Sequence, residues 1–318
     1  MAYNLLIGDV PRPTVPLALF KMIKDMPELF WDDIHITTVY GVVSGMIWAG
    51  GRVPKSTRRY STEQLYTLFR LYNDLGISVR LTTTNVLLNE EHLKDLYCNS
   101  VLQVLSDVGY DKQNGLSVAS PILEQYIRDK YPRLYIDKSV VCLTTTVSQL
   151  KKEIDKELYN LVVPYTFVPF QQAFLDMDAK YKSHTEILCN SCVSKDLSAC
   201  RFHYELVSSA ALNTSIEHPE YNKCFAEQFS EIESDFLCGG GKRPTEISPA
   251  DILKLYIPNG FENFKLSCRE ASNTTMLNTF LKYSLRDYTE DLANEILLEY
   301  LAVVKEGSSD DGNKIILR

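Results

Sequence analysis

The chain has 318 residues, 45% of them hydrophobic and 23% charged, with a formal net charge of −8. That length allows a large core in one α/β domain or in two smaller ones. No run of about 18 apolar residues marks a membrane span, the first twenty residues lack the basic-then-apolar order of a secretory signal, and the acidic balance weighs against broad phosphate-backbone binding. The expectation is a cytoplasmic protein with no membrane partner. Nucleic acid is disfavoured without being excluded.

Short β-rich runs recur along the chain: NLLIGDV (4–10), HITTVYGVV (35–43), SVRLTTTN (78–85), GLSVAS (115–120), LYIDKSVV (134–141), LVVPYTF (161–167), TEILCNS (185–191) and FKLSCRE (264–270). Helical segments with start signals separate most of them. Ser61 with Gln64 reads as a capping box, Ser120-Pro121 opens PILEQYIRDKY, and Ser248-Pro249 opens ADILKLYIPNG, which Gly260 can stop. Strands alternating with helices imply right-handed βαβ units and a parallel sheet. Eight such units predict an α/β fold: a (β/α)8 TIM-like barrel with an insertion after the seventh strand and C-terminal helices. One domain would span 1–305, with the polar segment 213–247 as the insertion and 306–318 as a tail. The segment 99–110 has an alternative reading as a further strand. An open doubly wound sheet is the alternative architecture, but no GxGxxG or GxxxxGK[ST] follows a strand.

Active groups of a barrel sit at the carboxyl ends of its strands, and that is where the cysteines cluster. Cys189 and Cys192 end the seventh strand, Cys200 opens the next helix, and Cys238 lies in FLCGGGKRP before the eighth unit. Three thiols from one loop and one from the next suit zinc or an iron-sulfur centre. Cys192, Cys200 and Cys238 are the leading metal ligands, with Cys189 as the fourth and Cys224 and Cys268 as rivals. Cys98 and Cys142 read as buried packing. A thioredoxin-like role for Cys-Asn-Ser-Cys fits less well, because that motif starts a helix in a short redox fold. The basic group Arg52, Lys55, Arg58 and Arg59 reads as a solvated loop or an anion contact.

The segment TEILCNSCVSKDLSACRFHYELVS (185–208) resembles the collagenase-like peptidase family of unassigned catalytic type, peptidase family U32, in which a strand is followed by spaced cysteines and an H-[YF] pair. The resemblance extends to TVYGVVSG with GGR (38–52), to LTTTNVLLNEEHLKDLYCN (81–99), to SPILEQYIRDKYP (120–132) and to ISPADILKLYIPNGFENFKLSCRE (247–270). It departs where the family's closing strand has Glu-Gly, because Ser267-Cys268 stands there. The resemblance implies an eight-stranded barrel with a cysteine-bound [4Fe-4S] cluster, zinc being the alternative. It further implies redox or oxygen-independent hydroxylation-type chemistry on a small molecule or a modified base, with an electron donor or partner protein. A peptidase of the same family and a metal-stabilised interaction protein are the alternatives.

Strand-end residues able to position substrate or move protons are Tyr40, Asn85, Ser120, Tyr165 and Arg269. Tyr40 can donate a hydrogen bond, Asn85 can orient a substrate through its amide, and Arg269 can clamp a carboxylate. His203, three residues after Cys200, is a candidate proton donor or ligand. The sequence holds no GxSxG and no HExxH, which leaves Cys192 with His203 as the one neighbouring nucleophile and base.

Overall fold

The computed structural model describes residues 2–50, 59–162, 171–190, 197–212, 246–267 and 272–307, with side chains described in these ranges except at 160–162, 197–203 and 299–307. Eight strands run β1 (Tyr3–Gly8), β2 (Ile34–Gly41), β3 (Ser78–Thr83), β4 (Gly115–Val118), β5 (Tyr135–Lys138), β6 (Tyr159–Val162), β7 (Thr185–Leu188) and β8 (Asn263–Leu266). All pair in parallel and in sequence order, and β8 returns to β1, so the sheet curls closed on itself. Among the described residues the β5–β6 ladder is the thinnest, with two registered pairs, Asp137 with Tyr159 and Lys138 with Asn160.

The helices follow the strands: α1 (Thr14–Asp25), α2 (Thr62–Asn73), α3 (Leu96–Val108), α4 (Pro121–Lys130), α5 (Val147–Ile154), α6 (Gln171–Leu175), α7 (Ala179–Ser183), α8 (Leu197–Ala211), α9 (Pro249–Asp251), α10 (Asn273–Ser284) and α11 (Glu290–Gly307). Local chemistry sets several starts. At α2 the Ser61 hydroxyl accepts from the Gln64 amide at 3.2 Å, while the Gln64 side chain accepts from the Ser61 N–H at 2.9 Å. Ser248 and Asp251 form the same reciprocal box before α9, which runs on into a π-turn at Ile252–Tyr256 and ends on Gly260 at φ 87°. Asp95 caps α3 by accepting from Cys98 N–H at 2.7 Å. Residues 99–110, with their alternative reading as a strand, therefore belong mainly to a helix, because the cap and the spacing of Val101, Leu102, Val104 and Leu105 bury one helical face.

Outward-facing side chains of the sheet and the inner stripes of the helices make one apolar core, including Leu5, Ile7, Val79, Leu81, Leu116, Ile136, Ile187, Phe264 and Leu266. Two C-terminal helices, α10 and α11, are present, and α10 supplies buried Met276, Leu277, Phe280, Leu281 and Tyr283 to that core. The expected insertion and the tail fall outside the described residues, save Glu246–Ile247 and the end of α11.

The Gly-Gly step at 50–51 has a packing reason on its first residue. A Cβ at Gly50 would stand 2.4 Å from Asn85 Cα and 2.4 Å from Thr84 O, both backbone atoms. Only glycine lets the segment after β2 lie this close to the end of β3. Gly50→Ala is expected to lower stability by about 1–3 kcal/mol, read as a shift in urea midpoint with an unchanged slope; a wild-type midpoint would contradict the close approach.

Candidate functional site in the barrel interior

Four of the strands carry a charged residue at an inward position: Arg80 in SVRLTT, Asp137 in YIDK, Glu186 in TEIL and Lys265 in NFKL. Strand side chains alternate between faces, and each of these charges falls on the inner one. The contacts establish this, because they join strands that are not neighbours in the sheet and so cross the barrel. Arg80 on β3 donates to Glu186 on β7 through both terminal nitrogens, Nη1 to Oε2 and Nη2 to Oε1, each at 2.5 Å. Its Nε donates to the Tyr135 hydroxyl on β5 at 3.0 Å, and its Nη1 lies 3.3 Å from Asp137 Oδ2. Lys265 on β8 stands over the Tyr40 ring on β2, 4.0 Å from its centroid. The Tyr40 hydroxyl donates to Leu266 O at 2.6 Å.

All four charged residues are buried, from 0% exposure for Asp137 to 5% for Lys265. Ser117 donates to Asp137 Oδ2 at 2.5 Å. Among the described residues the other carboxylate oxygen of Asp137, Oδ1, has no hydrogen-bond partner, and neither do the hydroxyls of Thr82 and Thr84. Burial, and then the neighbouring Glu186 carboxylate, push the Asp137 carboxyl up to about 6, against the lowering pull of Arg80 and Lys265. The reason lies in how Arg80 divides its donors: Glu186 receives the two-pronged pairing, and Asp137 a single longer contact. Tyr135, Tyr159 and His184 continue the polar lining, with ring centroids 5.5 Å and 5.0 Å apart in turn.

Of the residues singled out in the sequence, Tyr40 lies in this interior. Asn85 lies at the end of β3 with its amide committed: Nδ2 donates to Ile47 O at 2.9 Å and to Ser208 O at 3.1 Å, and Oδ1 accepts from Leu87 N–H at 2.9 Å. Both amide hydrogens are thus spent on backbone carbonyls, and the side chain ties the loops after β2 and β3 to α8. Ser120 precedes α4 and is buried, with no capping bond from its side chain. Cys200 and His203 belong to α8, with side chains outside the described residues, and Cys192, Cys224, Cys238, Tyr165 and Arg269 also lie outside them. Of the basic group, only Arg59 is described; its guanidinium stands 4.8 Å from the Tyr97 ring centroid.

Cys189 is fully buried on the opposite face from Glu186. Its Sγ donates to Ile187 O at 3.4 Å, its N–H donates to Lys265 O, and its carbonyl accepts from Ile247 N–H. Burial raises its thiol well above the ordinary range, with the Glu246 carboxylate adding to the rise. Its thiol is packed toward Tyr3, Tyr256 and Tyr283. Cys98 is fully buried in the core, as packing predicts, and Cys142 is half-buried with its thiol raised to about 11 by burial. Among the described residues no group of three or more His, Cys, Asp or Glu is placed to hold a metal ion. Nor is any described helix long and apolar enough to cross a membrane.

No protein-family model matches the sequence, and no curated protein matches it. Among solved structures, the U32 peptidase Mk0906 is similar at a TM-score of 0.47 and 14% identity, over 86% of this chain and 95% of that one. That structure carries the name of the family the sequence resembles.

Two outcomes test the interior. Glu186→Ala strands the Arg80 guanidinium and is expected to cost about 3–5 kcal/mol, whereas the double replacement Arg80→Met with Glu186→Leu recovers most of that loss; additive losses in the double variant would refute the pairing. The Asp137 carboxyl titrates higher folded than unfolded, so its contribution is present below its ordinary value of 3.8 and is lost as pH rises through about 6. Relative to Asp137→Asn, the wild type should lose on the order of 2–3 kcal/mol between pH 4 and 7, measured by urea titration at each pH; parallel curves for the two proteins would exclude the raised carboxyl.

Proposed function

We propose that this chain is a TIM-like (β/α)8 enzyme of the U32 peptidase-like kind, acting on a small polar substrate at the carboxyl ends of its strands. One observation carries the reading. A barrel of this size ordinarily fills its interior with layers of branched aliphatic side chains, and this one places Arg80, Asp137, Glu186 and Lys265 there instead. Buried ion pairs are a poor way to gain stability. Convergent ionisable groups with a displaced titration are what catalysis requires. The same convergence favours an enzyme over a purely structural barrel.

The reaction class we assign is redox or oxygen-independent hydroxylation-type, with a [4Fe-4S] cluster and an electron-donor protein as partner. Cys192, Cys200 and Cys238 supply three of the thiolates, and Cys189 the fourth, with Cys224 and Cys268 as its rivals. When bound, such a cluster passes single electrons. The chain's own interior groups do the rest: Lys265 and Tyr40 position polar substrate atoms, Arg80 and Glu186 hold the frame rigid, and Asp137 gives or takes a proton near neutral pH. A hydrolytic reading has only Cys192 and His203 to offer as nucleophile and base, and nothing in the described geometry favours it.

Iron and sulfide analysis after anaerobic purification tests the assignment. About four of each per chain are expected, lost in Cys192→Ser, Cys200→Ser and Cys238→Ser and retained in Cys142→Ser. One zinc without iron would move the function to hydrolysis or scaffolding, and equal metal in every variant would sink the ligand set.

A further inference from the structure

Three buried polar atoms of the interior lack partners among the described residues, and two of them lie on one level of the sheet. Thr82 on β3 is registered with Ser117 on β4, and Ser117 with Asp137 on β5. Thr82 Oγ1 and Asp137 Oδ1 are the unpartnered atoms of that row, and Thr84 Oγ1 is the third, two positions further along the chain. An unmet carboxylate oxygen and an unmet hydroxyl in a closed interior cost about 1–3 kcal/mol each, so such atoms in a native protein call for a guest. Two strand spacings separate the Thr82 and Asp137 backbones, roughly 10 Å. Inward side chains shorten that span to the reach of one planar group with a hydrogen bond at each end.

Charge decides what kind of group. Arg80 is matched by Glu186 in a two-pronged pair, and Lys265 acts on Asp137, so two cations face two carboxylates and the interior is balanced. An anionic guest would meet Asp137 and Glu186, and a cationic one Arg80 and Lys265. We infer that the Thr82–Ser117–Asp137 row binds a neutral group that both donates and accepts hydrogen bonds, a carboxamide or urea-like fragment, with its N–H on Asp137 Oδ1 and its carbonyl on the Thr82 hydroxyl. The inference rests on the reading of the interior as the substrate site and not on the cluster. Thr82 is 5% exposed, against 1% for Ser117 and 0% for Asp137, so it is the member of the row most open to solvent.

Saturation-transfer NMR on the full chain near neutral pH tests it with three small methyl-bearing probes: acetamide, acetate and methylammonium. Transfer to the acetamide methyl should exceed that to either ion by about tenfold, the worth of roughly one hydrogen bond. Thr82→Val, which keeps shape and removes the hydroxyl, should abolish the preference, with circular dichroism verifying the fold; Asp137→Asn should weaken it. Equal transfer to all three probes, or an acetamide signal that survives Thr82→Val, overturns the inference. No transfer to any probe from protein that holds its iron overturns it too, leaving the row to internal water and the cluster assignment intact.

Discussion

The polar interior is organised by one salt bridge. Arg80 and Glu186 face each other across the barrel from β3 and β7, with Tyr135 and Asp137 also on the Arg80 guanidinium. A guanidinium removed from water is tolerable only when its donors are used, and here the carboxylate takes two of them, a tyrosine hydroxyl the third, and Asp137 a share of the fourth. Removing either partner leaves an isolated charge where water does not reach.

From this pair follows the division of labour between the two carboxylates. Glu186 is held by a strong planar pairing, while Asp137 sits nearby with one oxygen in hydrogen bonds and the other bare. Two acids in one low-dielectric space cannot both ionise freely. The environment therefore separates their behaviour, giving the interior a structural carboxylate and a titrating one. That separation turns a scaffold into a candidate catalytic centre.

Much of the fold was legible in the sequence. The runs NLLIGDV, SVRLTTTN and TEILCNS each contain their strand, and the Ser61, Ser248 and Gly260 signals act where their chemistry predicts. The strand ends were less legible: the observed strands stop at Gly8, Thr83 and Leu188, because side-chain pattern continues past the point where backbone pairing stops. The interior site was missed, although its signal was present. One charge inside a strand, as in SVRLTT, TEIL or NFKL, is costly unless a partner waits across the barrel, and three such strands with Asp137 in YIDK are the sign of a polar interior. The cysteine spacing drew attention instead, and spacing alone does not reveal which face a residue takes. Cys189 follows Glu186 by three positions, an odd step along an extended chain, and so turns toward the helices.

Asn85 has a mechanical consequence. Its single amide grips a carbonyl after β2 and another on α8, and the Ser208 hydroxyl accepts from Val86 N–H in return. Three connections at one end of the barrel are thereby fastened to a common post. Cys200 lies eight residues before Ser208 on the same helix, roughly 12 Å along its axis. The helix at that place is a lever whose far end is tied to the loop after β3, so a displacement of Cys200 would be felt by the strand that carries Arg80.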